Sequence, residues 1–172
     1  NRLLAKHPEL SDTHISEIGA IVSAACLAHD LGNPPFGHSG EKAISTYFSE
    51  GKGQALKPKL APMEWEDLTH FEGNANAFRL LTHQFLGRRK GGFVITYSTL
   101  ASIVKYPYPS ILAGKKSKFG FFTSETDDYL KIVEELGIKR LSAEGETPRY
   151  ARHPLVFLVE AADDICYQMM DI

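Results

Sequence analysis

Hydrophobic and polar positions recur along this chain mainly at helical spacing. The residues from Ile18 to Leu31 form a mostly apolar run of helical length, which is typical of a buried helix. Further amphipathic patterns predict helices at residues 39–50, 64–86 (or 69–86), 98–105, 124–136 and 154–172. Residues 91–97 have strand-like propensity and form either a short strand or the approach to the next helix. The pattern as a whole predicts an all-α fold.

The break after the first helix is the sharpest in the pattern. Gly32 is well placed to stop that helix, and Pro34 and Pro35 cannot continue it. Ser39 is a natural N-cap for the helix that follows. The same reasoning makes Ser124 the predicted N-cap of a later helix. We therefore expect a helix, a tight loop and a second helix around residues 27–44.

Composition bounds the class of protein. With 172 residues, 43% of them hydrophobic, and a net charge of −2, the chain suits one globular domain over residues 1–172 and carries no overall basic signature for nucleic acid. Cys26 and Cys166 lie in apolar helical contexts and are predicted to be reduced core thiols. The sequence has no signal peptide and no apolar run that could span a membrane, which makes the cytoplasm the expected location and excludes a membrane partner.

Four groups that bind protons or metal ions lie within the 13 residues of the tight loop and its flanks. His29 and Asp30 are adjacent at the end of the apolar helix, and a buried carboxylate there needs a counter-charge or a metal ion. A polar helix end with both side chains exposed is the alternative. His38 and Glu41 are three residues apart and share a helical face, where the carboxylate can orient the imidazole for acid–base chemistry. Their alternative is a solvent-facing pair.

The last helix supplies a further acidic stripe. Asp163, Tyr167 and Asp171 recur at intervals of four residues, so that an acid, a phenol and an acid lie along one helical face. An ordinary polar face explains the same spacing. Asp164 points about 100° away from this face and is expected to be solvated.

Five motifs in this order are similar to those of one known family. They are His-Asp-Leu-Gly-Asn-Pro-Pro-Phe-Gly-His-Ser-Gly-Glu (29–41), His-Phe-Glu-Gly-Asn-Ala (70–75), Thr-Tyr-Ser-Thr-Leu-Ala with Lys-Tyr-Pro (96–107), Lys-Phe-Gly-Phe-Phe (118–122) and Glu-Ala-Ala-Asp-Asp-Ile-Cys-Tyr (160–167). Together they closely resemble the deoxyguanosine triphosphate triphosphohydrolases of the HD superfamily. The resemblance spans nearly the whole chain.

The resemblance implies an HD-domain helical bundle that hydrolyses a deoxynucleoside triphosphate, with dGTP as first candidate, to a deoxynucleoside and inorganic triphosphate. It implies one divalent ion held by His29, Asp30 and Asp163. Imidazole and carboxylate ligands together suit Mn²⁺, Fe²⁺ or Ni²⁺ and permit Mg²⁺. His38, oriented by Glu41, is the implied general acid–base.

The resemblance also assigns residues to the substrate. Tyr167 would pack on the deoxyribose and Asp171 would accept a hydrogen bond from its 3′-hydroxyl, while Lys105 and His70 would lie near the triphosphate. The loop at residues 106–123 would lie at the active-site mouth or at subunit contacts. Relatives assemble into tetramers or hexamers, and some are activated by nucleotides or bind single-stranded DNA, so we expect a homo-oligomer.

One family feature is missing from the chain. The family takes its first metal-ligand histidine from an earlier helix, in a Thr-His-Ser-x-Glu-like context, and nothing before His29 matches it. We therefore expect a fragment that lacks this N-terminal histidine and the C-terminal helices. Two other functions compete with the main one. These are another HD-domain phosphohydrolase, such as a nucleotidase or phosphodiesterase, and a non-catalytic nucleotide-binding regulatory subunit.

Overall fold

The described part of the chain is helical, as predicted. A computed structural model describes residues 15–87, 90–114 and 117–170, and within these ranges there are only isolated β-bridges and no strand. The α-helices are α1 (Ile15–Ala28), α2 (His38–Ser49), α3 (Pro62–Thr69), α4 (Gly73–Thr82), α5 (Tyr97–Ile103), α6 (Thr126–Glu135) and α7 (Val156–Met170). Three 3₁₀ segments, Lys52–Lys59, Ser110–Leu112 and Thr123–Glu125, connect them. Residues 91–96 lead into α5 without forming a strand.

The loop between α1 and α2 differs in detail from the prediction. Helix α1 ends at Ala28, four residues before Gly32, and α2 begins at His38 with Gly37 rather than Ser39 at its N-cap. Gly32 has another role, since a Cβ atom on it would lie 2.0 Å from the carbonyl oxygen of Gly73 and 2.1 Å from the amide nitrogen of Ala77. The glycine is therefore needed for close packing of the loop on α4.

The helix predicted at residues 64–86 is in fact two helices. It breaks between Thr69 and Gly73, where the Glu72 side chain accepts a hydrogen bond from the Ala75 amide and caps α4. The second half ends at Thr82, and Leu86 is fully exposed instead of completing a buried stripe. A carboxylate that caps a new helix start accounts for the break.

The core lies where α1, α5 and α7 pack together. Helix α5 contacts both α1 and α7 and also packs on α6. The core cluster includes residues from each of these helices and from the segment 106–123, among them Ala25, Leu100, Phe121, Tyr129 and Val159. A smaller cluster contains Ala75, Ala113, Phe119 and Phe122. The segment at 106–123, expected to be a loop at the active-site mouth or an interface, thus also contributes buried aromatic side chains.

Two local predictions were wrong at the later helices. Helix α6 starts at Thr126 after a 3₁₀ turn, with Glu125 and not Ser124 at its N-cap. Cys166 is exposed, whereas Cys26 is half-buried against the core, and both are free thiols. Among the described residues, no helix is long and apolar enough to cross a membrane.

Candidate active site

The structure brings most of the predicted site residues to one cavity of about 420 Å³. It lies between the α1–α2 loop, the start of α4, the end of α5 and the outward face of α7. The predicted residues that line it are His29, Asp30, His38, Glu41, Lys105, Asp163 and Tyr167. These residues are up to 138 positions apart in the sequence, from 29 to 167. The two His-plus-acid pairs and the last helix therefore form one site.

His29 is oriented by the backbone of its own helix. Its Nδ1 lies 2.7 Å from the carbonyl oxygen of Cys26, and because a carbonyl only accepts, Nδ1 donates this hydrogen bond. The other ring nitrogen, Nε2, lies 3.4 Å from Asp30 Oδ1 and 3.5 Å from Asp163 Oδ1. Both distances exceed the usual N–H···O length. One imidazole nitrogen and two carboxylates thus converge without bonding each other directly.

These separations bear on whether the residues fit a metal ion. No three His, Cys, Asp or Glu side chains in the described ranges form a complete metal site as they stand. The separations of 3.4 and 3.5 Å are nevertheless close to those of neighbouring ligands that share one ion at about 2.0–2.2 Å. Asn33 Nδ2 donates to Asp30 Oδ1 at 2.9 Å and orients that carboxylate. An imidazole with two carboxylates, of which His29 and Asp30 are each oriented by a neighbour, is a donor set that fits a divalent ion.

The second pair forms a direct hydrogen bond. His38 Nδ1 donates to Glu41 Oε2 at 2.7 Å, and the His38 side chain is 86% exposed. The other oxygen, Glu41 Oε1, accepts from the Gly73 amide at 2.7 Å, at the N-terminus of α4. Glu41 is therefore anchored to another helix, whereas the His38 side chain itself faces solvent, as in the alternative.

Electrostatics keep Glu41 ionised. Burial acts to raise the pKa of Glu41, but hydrogen bonds from His38 and the Gly73 amide and the positive charge of Lys118 outweigh it and hold that pKa below its ordinary value. Lys118 Nζ is 3.8 Å from Glu41 Oε2 and 2.8 Å from Glu72 Oε1. Burial acts to lower the pKa of Lys118, yet the hydrogen bond and charge of Glu72, helped by Glu41, raise it.

A second group of charged side chains surrounds Glu160, a residue of α7. Lys105 Nζ contacts Glu160 Oε1 at 2.7 Å, and Arg152 Nη1 contacts Glu160 Oε2 at 3.0 Å. Arg152 also lies over the rings of Tyr106 and Phe157, at 5.7 Å from each centroid. Burial acts to lower the pKa of Lys105, but the hydrogen bond and charge of Glu160 raise it. The cavity therefore has a cationic side chain on two of its walls.

The other residues discussed in the sequence analysis differ in their position relative to the cavity. His70 follows α3 and lies 3.1 Å from Glu66 Oε2, and it does not line the cavity. Asp171 lies outside the described residues. Tyr167 lines the cavity with 61% of its surface exposed, and Asp164 is exposed as predicted.

Sequence reasoning missed several residues that the cavity contains. Asn33, Asn74, Tyr106, Lys118 and Glu160 all line it. Lys118 begins the Lys-Phe-Gly-Phe-Phe motif but was given no role in the site. Each of these five residues lies within one of the five family-like motifs, so the motifs were a signal that could have identified them. No periodicity links them, because they come from different elements.

The chain is similar to several curated proteins, although no model of a known protein family matches it. A deoxyguanosinetriphosphate triphosphohydrolase-like protein from Pseudomonas aeruginosa is 47% identical over 169 residues, which cover 96% of this chain and 37% of that protein. A protein of the same name from Synechocystis is 43% identical over 98% of this chain and 40% of its own length. A deoxyguanosinetriphosphate triphosphohydrolase from Yersinia enterocolitica is 34% identical over 94% of this chain and 35% of its own length.

The chain thus spans at most 40% of the length of these three relatives. The aligned regions cover 94% to 98% of this chain. The chain belongs to the family of deoxyguanosinetriphosphate triphosphohydrolase-like proteins.

Proposed function

We propose that this chain provides the catalytic site for hydrolysis of a deoxynucleoside triphosphate, with dGTP as first candidate, to a deoxynucleoside and inorganic triphosphate. The observation that carries the proposal is the meeting of His29, Asp30 and Asp163 beside the His38–Glu41 pair in one cavity. His29, Asp30 and Asp163 would hold one divalent ion, Mn²⁺, Mg²⁺, Fe²⁺ or Ni²⁺. When bound, such an ion polarises a phosphate and activates water.

His38 is the proton-transfer group of the proposal. Because its Nδ1 donates to Glu41, its Nε2 is left to take or give a proton at the cavity. Glu41 stays ionised, since its pKa is held below its ordinary value. The carboxylate fixes the tautomer of the imidazole. His38 Nε2 can then protonate the departing 5′-oxygen or take a proton from water.

The cationic side chains suit a triphosphate. Lys105 and Lys118 approach the cavity from different walls, and each is held by a carboxylate that leaves further ammonium N–H groups for a ligand. Tyr167 lies on the same face of α7 as Asp163, where its ring can pack on the sugar. Asp171 as an acceptor for the 3′-hydroxyl and His70 near the triphosphate complete the proposal as predictions from the family resemblance.

The first test uses the full-length protein with Mn²⁺ or Mg²⁺ and dGTP, with products resolved by anion-exchange chromatography. We expect deoxyguanosine and intact triphosphate, and a fall in kcat of about 10²- to 10⁴-fold in His38→Ala. Asp164→Asn removes an exposed acid from the same helix as Asp163 and should leave the rate unchanged. Release of dGMP or of single phosphates would assign the protein to another branch of HD phosphohydrolases.

A non-catalytic nucleotide-binding subunit is the distant alternative. Binding alone requires no imidazole anchored through Glu41 to the α4 amide, and this contact favours catalysis. Nucleotide binding without turnover, even with mixed dNTPs as activators, would support the alternative. The resemblance further predicts assembly into a tetramer or hexamer, activation by nucleotides and single-stranded DNA binding. A cytoplasmic location is a prediction from the sequence alone.

A further inference from the structure

Lys118 lies between two carboxylates that could each take it as a partner. Its Nζ is 2.8 Å from Glu72 Oε1 and 3.8 Å from Glu41 Oε2. The difference between 3.8 and 2.8 Å means that a shift of about 1 Å would bring the ammonium into direct contact with Glu41. Which carboxylate holds Lys118 is therefore decided by a small displacement.

Glu72 is the more firmly placed of the two acids. Its side chain is fully buried, with an exposure of 0%, and its oxygens accept from the Ala75 amide at 3.0 Å and from Asn74 Nδ2 at 2.8 Å. A fully buried carboxylate needs a compensating positive charge, and Lys118 is the cation it contacts. Lys118 is bound to Glu72 for this reason.

Both oxygens of Glu41 already accept a hydrogen bond. Its Oε2 already accepts from His38 Nδ1 at 2.7 Å, and its Oε1 accepts from the Gly73 amide. A direct bond from the ammonium to Oε2 would compete with the imidazole for the same oxygen. A carboxylate oxygen can accept two hydrogen bonds, as Glu72 Oε1 does from Asn74 and Lys118, but an ammonium bonded to Oε2 would neutralise much of the charge of Glu41 and weaken the bond that orients His38.

We propose that Glu72 is a positioning residue that holds Lys118 away from Glu41 and so reserves Glu41 for His38. The inference rests on the proposed function, in which His38 is the proton-transfer group. It deepens that function by assigning a role to a buried acid that touches neither substrate nor reacting atoms. Glu72 and Gly73 are consecutive, so one helix start, that of α4, positions both Lys118 and Glu41.

The kinetic test compares Glu72→Gln with the double variant Glu72→Gln/Lys118→Met in the full-length protein. Glutamine can still accept from the Ala75 amide, but it cannot neutralise Lys118, which should then move to Glu41. We expect kcat to fall at least about tenfold in the single variant and to recover most of that loss in the double variant. KM for dGTP should be higher in the double variant than in the unaltered protein, because the double variant lacks Lys118, which faces the triphosphate in the proposed function.

Glu64→Gln is the matched control. Glu64 is also an acid at a helix start: it is the N3 residue of α3, its Oε2 accepts from the amide of the N-cap residue Ala61 at 2.8 Å, and it does not line the cavity. We expect its kinetic constants to equal those of the unaltered protein. An unchanged kcat in Glu72→Gln, or a double variant no faster than the single one, would overturn the proposal.

A second readout does not depend on turnover. The ¹⁵N chemical shifts of the His38 ring, read through its carbon-bound protons, report the hydrogen bond at Nδ1. They should change in Glu72→Gln and return to the original values in the double variant. The double variant leaves no buried charge unpaired, so it tests the proposal even where the single variant does not fold. Altered His38 shifts in a folded double variant would count against it, whether or not the protein hydrolyses dGTP.

Discussion

In His29 and His38, the group that accepts the hydrogen bond from Nδ1 decides how the imidazole is oriented in the cavity. His29 donates to a backbone carbonyl and His38 to a carboxylate, so both present Nε2 to the cavity side. The backbone carbonyl partner suits the proposed role of His29 as a metal ligand, while the carboxylate partner suits the proposed role of His38 in proton transfer, because each partner fixes the tautomer of its imidazole. The atoms that neighbour each ring, rather than the residue type, therefore separate the two proposed roles.

Tyr167 is the residue expected to select deoxyribose. A bulky phenol against the sugar would exclude a 2′-hydroxyl by contact. Tyr167→Ala should lower the preference for dGTP over GTP by about tenfold or more, measured as the ratio of the two kcat/KM values. Tyr167→Phe retains the ring and should retain the preference. Equal preference in all three proteins would exclude this role.

The close packing around Gly73 bears on the position of Glu41, the proposed partner of His38. A Cβ atom at this position would lie 2.2 Å from Asn33 Oδ1 and 2.9 Å from Glu41 Oε1. Gly73→Ala should therefore displace the side chain that orients His38 and lower kcat by roughly 10- to 100-fold. The control is Gly19→Ala in α1, where a Cβ meets nothing within 4 Å.

The control substitution has its own expected outcome. Gly19→Ala should leave kcat unchanged and raise the free energy of unfolding by about 0.5–1 kcal/mol, since glycine weakens a helix interior. Both effects are read from steady-state kinetics and urea unfolding. Normal kcat in Gly73→Ala would show that the loop adjusts without moving Glu41.

At the scale of elements, the segment 106–123 combines two functions. Phe121 is 1% exposed and stacks on Tyr129 of α6 with 4.4 Å between ring centroids, while Tyr106 and Lys118 line the cavity. The buried rings fix the path of the segment and so fix where Lys118 lies. The aromatic cluster of the sequence therefore belongs mainly to the core.

Substitutions at buried and at exposed positions of the segment 106–123 should therefore lower the free energy of unfolding by different amounts. Phe121→Ala should lower the free energy of unfolding by about 3–5 kcal/mol, because it empties a packed ring site. Ile111→Ala, at a position that is 49% exposed, should change it by less than about 0.5 kcal/mol. Chemical denaturation of both variants measures the difference. Similar small losses at the two positions would contradict a core role for Phe121.

At the scale of the whole molecule, Glu125 links stability to pH. Its side chain is 3% exposed, and its Oε2 has no hydrogen-bond partner among the described residues. Burial raises the pKa of Glu125 above its ordinary 4.5, although Ser124 and Arg79 act in the opposite direction. Between the unfolded and the folded pKa the folded state binds more protons, so stability falls as pH rises through that interval.

Glu125→Gln removes this titration. The free energy of unfolding of Glu125→Gln minus that of the unaltered protein should therefore increase from pH 4 to pH 8. The reason is that Glu125 ionises over this range in the unaltered protein, and a buried ionised carboxylate lowers its stability. Urea unfolding at several pH values measures this difference, and Glu135→Gln at an exposed position should show none. A difference that stays constant with pH would contradict the assignment.

Much of the fold and site could be predicted from local sequence. Apolar periodicity is a local property, so it correctly predicted α1 and most of the other helices, and i,i+3 spacing correctly paired His38 with Glu41. Helix ends were less well predicted, as at Ser39 and Ser124, because caps depend on contacts with other elements. The break before α4 is the clearest case, since Glu72 caps α4 through a contact that periodicity does not reveal.

The sequence by itself determined the helical class, the residue types of the site and their order along the chain. Tertiary structure alone decided that His29 meets Asp163, that Glu41 bonds the Gly73 amide and that Lys118 meets Glu72, 46 residues away. Such pairs carry no spacing signal, because their separation in sequence reflects the intervening chain and not any repeat of the backbone. Close packing of Gly32 and Gly73 then decides how near the two halves of the site can come.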